Sequence, residues 1–378
     1  MANLTLPSVI VEEILAMLPN KSIHRFRQLS KSWSSILVSS EFHKLRTKSS
    51  PPATNIQKIL QCSAVNDGYA IQSLGCLDGG EDPIWLCFPT EKYMRLLGSC
   101  NGLVCVAVRH NQSGVDQIVV WNPFTGIYRK LQDINDCRVC AYGFGYDSEA
   151  DDYKVFIATK AGPDGVKVEI FSLTTGFWKE VETTDPGKDV EYIPDGHEVG
   201  LFLNGALHWQ VLIGGKTKII AFDLANKKFY DVPPPVLPDG YCDKVGNRGL
   251  GVVGEHLCIY LVSKSNDVVR AVFVMKEYCN GESWVSFFFY SSSRYANGFV
   301  YSASDFKPQA VSDGGYIMIL LFSGEVQHIL KWDSLNEGDA YLNFKEKKMK
   351  SSEYQMAMPY TEALTSPYPS LEIKQLQL

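Results

Sequence analysis

The sequence has no long apolar run. Its longest uninterrupted apolar stretch, Tyr316–Phe322, has seven residues, whereas a helix needs about 20 to cross a bilayer. Glu12 and Glu13 interrupt the apolar N-terminal stretch, and no basic region precedes it, unlike in a secretory signal. We therefore expect a protein that does not engage a membrane and that begins with an amphipathic helix.

The sequence also lacks the ligand patterns of a metal site. Its ten cysteines are scattered, which without a secretory signal favours reduced thiols in a cytoplasmic or nuclear protein. Cys137 and Cys140 form one C-x-x-C pair with no second pair for zinc, so they are better explained as thiols on a strand. The acidic run 147–152 lacks the glycine and final glutamate of a calcium loop, which favours a solvated turn. No metal or other cofactor is expected.

Catalytic motifs are missing as well. The seven histidines include no H-E-x-x-H pair, and neither G-x-S-x-G nor a P-loop occurs. His208, beside Trp209 on an apolar strand, is best explained as a core or channel residue. We nominate no catalytic residue, although a hydrolase stays open because catalytic triads converge in space and not in sequence.

Charge divides the chain into two unequal parts. The net charge is −6, yet residues 1–50 contain seven Lys or Arg against three Glu. The acidic remainder lacks the clustered cations that phosphate contacts need, so nucleic-acid binding is not expected. The small basic part fits docking on an acidic partner.

Residues 1–48 have the pattern of a small domain of three short helices. The first helix is predicted to begin at Pro7 and to end at Pro19. Its apolar stripe consists of residues spaced by four: Ile10, Ile14 and Leu18. So small a unit cannot bury all its apolar side chains by itself, and we expect some of them to face a partner. Residues 49–57, with two adjacent prolines, are predicted to form a stiff linker.

The rest of the chain, 58–370, has β composition and an internal period near 50 residues. An apolar anchor followed by a polar turn and an aromatic recurs at intervals of 50, 51, 53 and 57 residues. These anchors are Trp121, Phe171, Phe222, Met275 and Trp332. A tight turn followed by an apolar strand recurs at intervals of 50, 53, 50 and 60 residues, at Gly102, Asp152, Gly205, Glu255 and Gly315.

This period matches a kelch-like β-propeller built from four-stranded blades. Dividing about 290 residues by the period gives roughly six blades. The fold class is therefore mainly β with a small α module at the N-terminus. A sandwich with chance spacing is the alternative. The recurring aromatics are interpreted as core between blades, in preference to a ring that stacks on a ligand.

Residues 6–45 strongly resemble a plant-type F-box. The matching steps are Leu6-Pro7, Ile14-Leu15, Leu18-Pro19, Lys21-Ser22, Arg25-Phe26-Arg27, Ser30-Lys31-Ser32-Trp33 and Glu41-Phe42. The remainder resembles the F-box-associated domain of the same proteins, among them the S-locus F-box proteins. The segments that resemble its signatures are 97–105, 121–126, 142–156, 206–209, 275–284 and, at its end, 360–369.

The resemblance implies a substrate-recognition subunit of a Skp/cullin/F-box (SCF) ubiquitin ligase. The F-box would bind the Skp-type adaptor, and through it the cullin, while the propeller would hold an unidentified target protein for ubiquitination and degradation. Catalysis would belong to the E2 enzyme of the complex. A scaffold that binds the adaptor without degrading its target has the same sequence signature. The residues expected to face the adaptor are Leu6, Pro7, Ile10, Ile14, Leu15, Leu18, Pro19, Phe26 and Trp33.

The target is expected to contact loops on one rim of the propeller. The longest interruptions of the β pattern are 109–117, 183–198 and 236–248. The second of these is rich in acids, which would steer a basic target surface. The acids proposed for this contact are Asp185, Asp189, Glu191 and Asp195.

Overall fold

The computed structural model describes most of the predicted propeller and part of the helical region. The described residues are 8–18, 22, 26, 29, 33, 36, 37, 42, 45, 57–65, 68–75, 84–86, 94–109, 116–131, 139–160, 166–181, 190–191, 198–213, 216–236, 245–253, 255–263, 269–290, 310–313, 316–323, 326–333, 343–348, 355–361, 363 and 365–368.

The chain begins with one described helix and continues with strands. Helix α1 spans Ser8–Ala16, so it begins where the sequence predicts, and it closes with a turn in which Leu18 N–H donates to Leu15 O at 3.0 Å. Described positions further along, at 22, 26, 33, 36, 37, 42 and 45, are also helical. The predicted domain limits at 48 and 57 stay predictions, because residues 46–56 lie outside the described part.

The described strands form six four-stranded blades, as the period predicts. Blade 1 consists of β4 (Met94–Cys100), β5 (Leu103–Arg109), β6 (Asp116–Trp121) and β7 (Tyr128–Lys130). Blade 2 consists of β8 (Val139–Asp147), β9 (Asp152–Lys160), β10 (Val166–Ser172) and β11 (Trp178–Val181). Blade 3 consists of β13 (Glu198–Leu203), β14 (Ala206–Ile213), β15 (Lys216–Asp223) and β16 (Lys228–Val232). The short β12 (Val190–Glu191) pairs with β14 on the same side as β13.

The remaining strands complete the circle. Blade 4 consists of β17 (Val245–Val253), β18 (His256–Ser263), β19 (Val269–Met275) and β20 (Trp284–Tyr290). Blade 5 consists of β21 (Ala310–Asp313), β22 (Tyr316–Ser323), β23 (Val326–Asp333) and β24 (Asn343–Lys348). The closing blade combines both ends of the chain in β25 (Gln355–Thr361), β1 (Gln57–Val65), β2 (Gly68–Gly75) and β3 (Ile84–Leu86).

From the closing blade through blade 1 to blade 5, the innermost strands of successive blades contact one another. β8 and β13 even pair in parallel, with Gly143 opposite Gly200. A Cβ at Gly143 would lie 2.5 Å from the Leu207 side chain, and one at Gly200 would lie 2.5 Å from the Trp209 ring. Glycine at these two positions leaves room for side chains of β14, which pack directly on the two paired strands.

The repeat anchors lie where the period places them. Trp121, Phe171, Phe222 and Met275 are the last or next-to-last residues of the third strand in successive blades, and all are at most 2% exposed. Each pairs across the hairpin with an aromatic of the outer strand, at Tyr128, Trp178, Phe229 and Trp284. The four anchors belong to the hydrophobic clusters between blades, which confirms the interpretation as core.

The turn after each anchor has one geometry in three blades. The residue that follows the anchor accepts a hydrogen bond through its side-chain oxygen from the backbone N–H three positions on: Asn122 from Thr125, Ser172 from Thr175 and Asp223 from Asn226. The fourth position has a left-handed backbone, and glycine occupies it at Gly126 and Gly176. Short polar side chains at these turns thus replace a backbone partner.

Strand alternation gives the propeller two different rims. Turns between first and second strands and between third and fourth strands lie on what we call the first rim. Connections between second and third strands and between blades lie on the second rim. β1 pairs with β25 so that Gln57 lies opposite Thr361, and both these strand ends therefore lie on the first rim.

Asn122 fastens the C-terminal segment to the first rim. Its side-chain nitrogen donates to Ala363 O at 2.8 Å and to Thr365 O at 2.7 Å, while its oxygen accepts from Phe124 N–H at 2.9 Å. Thr365 Oγ1 donates to Asn101 O at 2.6 Å. Asn122 itself is fully buried, so every one of these bonds replaces lost contact with water.

Replacing Asn122 with alanine should destabilise the propeller by roughly 2–4 kcal/mol. The change leaves the carbonyls of Ala363 and Thr365 without a donor and the N–H groups of Phe124 and Thr125 without an acceptor. Asp223→Ala is the matched control, since Asp223 makes the same turn without holding the C-terminal segment. We expect a clearly larger loss for Asn122→Ala in urea unfolding. Equal losses would show that the turn matters and that the contact with residues 363–368 does not.

Candidate functional site

The described residues between 8 and 45, called the helical module below, have a small core. Leu15, Ala16, Leu37 and Phe42 are at most 3% exposed. Val11, Leu18, Phe26, Trp33 and Leu45 pack against them, and the Phe26 and Trp33 rings stack with centroids 5.7 Å apart. Four residues predicted to face the adaptor thus contribute to the internal packing of the module: Leu15, Leu18, Phe26 and Trp33.

An apolar surface of the helical module faces outward. We use the name apolar face for the exposed apolar residues of the module, which are Val9 (63% exposed), Ile10 (43%), Ile14 (46%) and Met17 (65%) on or next to α1, and Leu29 (68%) further along the chain. Ile10 and Ile14 belong to the set predicted to face the adaptor, whereas Val9, Met17 and Leu29 do not. Leu6, Pro7 and Pro19, also predicted, lie outside the described residues.

The structure corrects the stripe drawn from the sequence. A spacing of four puts Ile14 and Leu18 on one side only if the helix continues through both. The helix ends at Ala16 and the chain turns at Met17 and Leu18. Leu18 therefore packs on the module core while Ile14 stays exposed. A helical wheel limited to residues 9–17 would have grouped Val9, Ile10, Ile14 and Met17.

Among the described residues, Phe124 of the propeller contacts the helical module. Phe124, in the first-rim turn of blade 1, packs against the hydrophobic cluster of the module. Its backbone N–H donates a hydrogen bond to the side-chain oxygen of Asn122, the residue that also bonds the C-terminal segment. The module therefore lies on the first rim.

The strand ends beside the three predicted target loops all lie on the second rim. These flanking positions are Arg109 and Asp116, Val181 and Glu198, and Val232 and Val245. Of the four proposed acids, Glu191 lies on β12, opposite Leu212 of β14. Asp185, Asp189 and Asp195 lie outside the described residues.

The acidic run 147–152 is not simply a solvated turn, which corrects the prediction. Asp147 and Asp152 are 3% and 5% exposed. Asp147 forms an ion pair with the buried Lys154, whose Nζ also donates to Leu224 O of blade 3 at 3.1 Å. Burial opposes the charged form of Asp147, but hydrogen bonds from Lys154 and from backbone N–H groups outweigh it and lower its pKa. Asp152 accepts bonds from Ser172 and Thr174.

His208 is a buried core residue, as the sequence analysis favoured. Its Nδ1 lies 3.1 Å from Leu201 O and its Nε2 lies 2.6 Å from Tyr278 Oη, which lies 2.5 Å from Tyr230 Oη. A carbonyl only accepts, so Nδ1 holds the proton and Nε2 accepts from Tyr278. This chain joins blades 3 and 4. Burial lowers the pKa of His208 to about 4 and raises that of Tyr278.

Within the described residues, no group of three or more His, Cys, Asp or Glu could hold a metal ion. Cys140 is buried and its thiol donates to Ala158 O at 3.3 Å, while Cys137 lies outside the described part. The described cysteines are free thiols. No described helix has the length and apolar character of a membrane span.

Comparison with known proteins follows the same division of the chain. Residues 4–45 match the family model of the F-box domain, and residues 86–362 match that of the F-box associated beta propeller domain. The chain belongs to the plant F-box proteins that have this propeller. The helical module is thus the F-box, and the exposed apolar face is part of it.

Relatives in Arabidopsis thaliana share this organisation. F-box/kelch-repeat protein At3g23880 is 27% identical over 300 residues, which cover 74% of this chain and 78% of the relative. F-box protein CPR1 is 26% identical over 359 residues, covering 86% and 79%. F-box/LRR-repeat/kelch-repeat protein At2g27520 is 29% identical over 272 residues, covering 70% of each chain.

His208 should make the propeller sensitive to mild acid. Its pKa is lowered from 6.5 to about 4, so the unfolded chain binds a proton that the folded chain does not between these values. Stability therefore falls as pH drops from 6.5 towards 4, by roughly 3 kcal/mol in all. The lowered pKa of Asp147 also makes stability depend on pH, but only below this pH range.

Urea unfolding at pH 7 and pH 5 checks this expectation, with His208→Gln as the comparison. The wild-type protein should lose more stability between the two pH values than the variant does. Equal losses would mean that His208 does not titrate in the way its burial requires.

Proposed function

We propose that this protein is the substrate-recognition subunit of an SCF ubiquitin ligase. The F-box binds a Skp-type adaptor, which connects it to the cullin. The propeller binds a target protein that the ligase ubiquitinates for proteasomal degradation. The observation that supports this most is the apolar face of the F-box, since a module with so small a core leaves five large apolar side chains in water.

Covering the apolar face would stabilise a complex appreciably. Burying an aliphatic side chain is worth about 1.5–3 kcal/mol relative to full exposure, and these five residues are already partly covered. Several exposed apolar side chains in one small module are typical of a protein interface. The basic charge of residues 1–50 supports an acidic partner for the same face.

The arrangement of the two rims supports a receptor that holds two proteins at once. The F-box lies on the first rim through Phe124, and the strand ends beside the predicted target loops lie on the second. An adaptor and a target bound in this way would not compete for surface. The propeller between them would act as a spacer.

We propose no catalytic role for the chain itself. In the described part, the buried ionisable groups Asp147, Lys154, Asp152 and His208 are each held in contacts within or between blades. The E2 enzyme of the complex would supply the chemistry. Free thiols at the described cysteines support a cytoplasmic or nuclear location.

Ile14→Arg should abolish adaptor binding and leave the propeller folded. A guanidinium in the apolar interface would lose its hydration without gaining a partner, and we expect affinity to fall more than about a hundredfold. Co-purification of the adaptor with the full-length chain measures the effect. Phe177→Arg is the matched control, because Phe177 is 69% exposed on a propeller turn and receives the same charge.

Retention of the adaptor by Ile14→Arg at wild-type strength would refute the assignment of this face. Loss of the adaptor in both variants would indicate a general effect of added charge. Trp33→Ala differs in principle, because Trp33 packs inside the module and its loss should unfold the F-box.

Reversing the charge at Asp189 and Glu191 should weaken binding of a basic target and leave adaptor binding intact. The effect should appear mainly in the association rate and should shrink at high salt, because it arises from steering. Surface plasmon resonance with a captured target at two salt concentrations measures it. Reversal at the exposed first-rim residues Glu149 and Glu282 is the control. Unchanged association after the reversal at Asp189 and Glu191 would contradict the acidic-loop contact.

A further inference from the structure

Arg95 is a charged residue on the innermost strand of blade 1 without a counter-ion. It is half-buried, and its Nη1 atom is buried without a hydrogen-bond partner. No ion pair to Arg95 exists among the described residues. Its neighbour across the hairpin, Ala107, belongs to the cluster between blades 1 and 2. The guanidinium therefore lies beside that apolar interface.

This arrangement is unfavourable in the isolated chain. A guanidinium removed from water costs free energy unless a carboxylate, a phosphate or a carbonyl compensates. The other buried cation described, Lys154, has such compensation from Asp147 and Leu224 O. Arg95 has none of it.

The place of Arg95 points to an external partner. It is the second residue of β4, and β4 begins on the second rim. Ala107, paired with it, lies two residues before Arg109, where β5 ends at the first of the predicted target loops. Because Arg95 is only half-buried, a group that enters from this rim can reach it.

The guanidinium also defines the chemistry of that partner. Its planar fork of N–H donors matches two oxygens of one carboxylate or phosphoryl group. We propose that Arg95 anchors an oxyanion of the target protein, supplied by an acidic side chain or by a phosphorylated residue. This inference rests on the proposed function of the propeller as a target receptor.

Inorganic phosphate is a suitable first probe, used on the full-length chain in complex with its adaptor. Phosphate at constant ionic strength, compared with chloride, should raise the Tm of the wild-type protein in a saturable way. Arg95→Met should lose this response and should be more stable than wild type in chloride, because it removes an uncompensated charge. Lys130→Met, which removes an exposed cation from the outer strand of the same blade, should respond like wild type.

Equal responses of all three proteins, or no saturable response of the wild type, would overturn the proposal. A less stable Arg95→Met that still responds to phosphate would also overturn it. If Arg95→Met does not fold, Arg95→Lys keeps the charge without the fork. A weakened phosphate response then supports the proposal, and an unchanged one refutes it.

Target capture separates the two sources of the oxyanion. Arg95→Met should bind the target at least about tenfold more weakly than wild type, with adaptor binding unchanged. If phosphatase treatment of the target reproduces that loss, the anchor holds a phosphoryl group, and if it does not, the anchor holds a carboxylate. Undiminished target binding by Arg95→Met refutes the anchor, whereas failure of the wild-type chain to bind the adaptor refutes the receptor function instead.

Discussion

Hydrogen bonds between the two ends of the chain hold the ring of blades closed. β1 and β25 pair over seven positions, from Gln57 opposite Thr361 to Ser63 opposite Gln355. Asn122 and Thr365 then fasten the following segment to blade 1. Partners so distant in sequence can pair only after the intervening blades are in place, which makes closure late and costly in chain entropy. The pairing hides two strand edges that would otherwise be open to aggregation.

Closure also determines which rim the F-box lies on and which rim is open to the target contact that we propose. Because β1 begins opposite the end of β25, the chain enters the propeller on the first rim. The F-box precedes β1, and its core meets Phe124 on the same rim. The second rim is left for connections between blades. A substrate receptor needs this separation, since adaptor and target must be held together without excluding each other.

The sequence predicted the parts of the fold that depend on repetition. Trp121, Phe171, Phe222 and Met275 occupy equivalent buried positions in four blades, so selection for packing leaves a period that one sequence displays. The start of α1 at Ser8 was predictable from local rules. The exposure of Ile14 and the burial of Leu18 were not, because the end of the helix at Ala16 depends on how the module folds.

The contacts that bury these ionisable groups, within one blade or between two, were also beyond the sequence. The acids Asp147 and Asp152 look solvated in a chain rich in Asp and Glu, and only the approach of Lys154, Ser172 and Thr174 shows why they are buried. The same holds for His208, whose partner Tyr278 is 70 residues away. Arg95 is the reverse case. Its buried Nη1 atom has no hydrogen-bond partner, which becomes visible only when the neighbouring residues are placed.

The most direct test of the receptor function is affinity capture from plant cells under proteasome inhibition, with the full-length chain and with a version lacking residues 1–48. The account predicts that only the full-length chain recovers the Skp-type adaptor and the cullin. Both versions should recover the same target, and the target should be ubiquitinated only with the full-length chain. Recovery of adaptor and cullin by the shortened chain, or their absence from the full-length capture, would contradict the account.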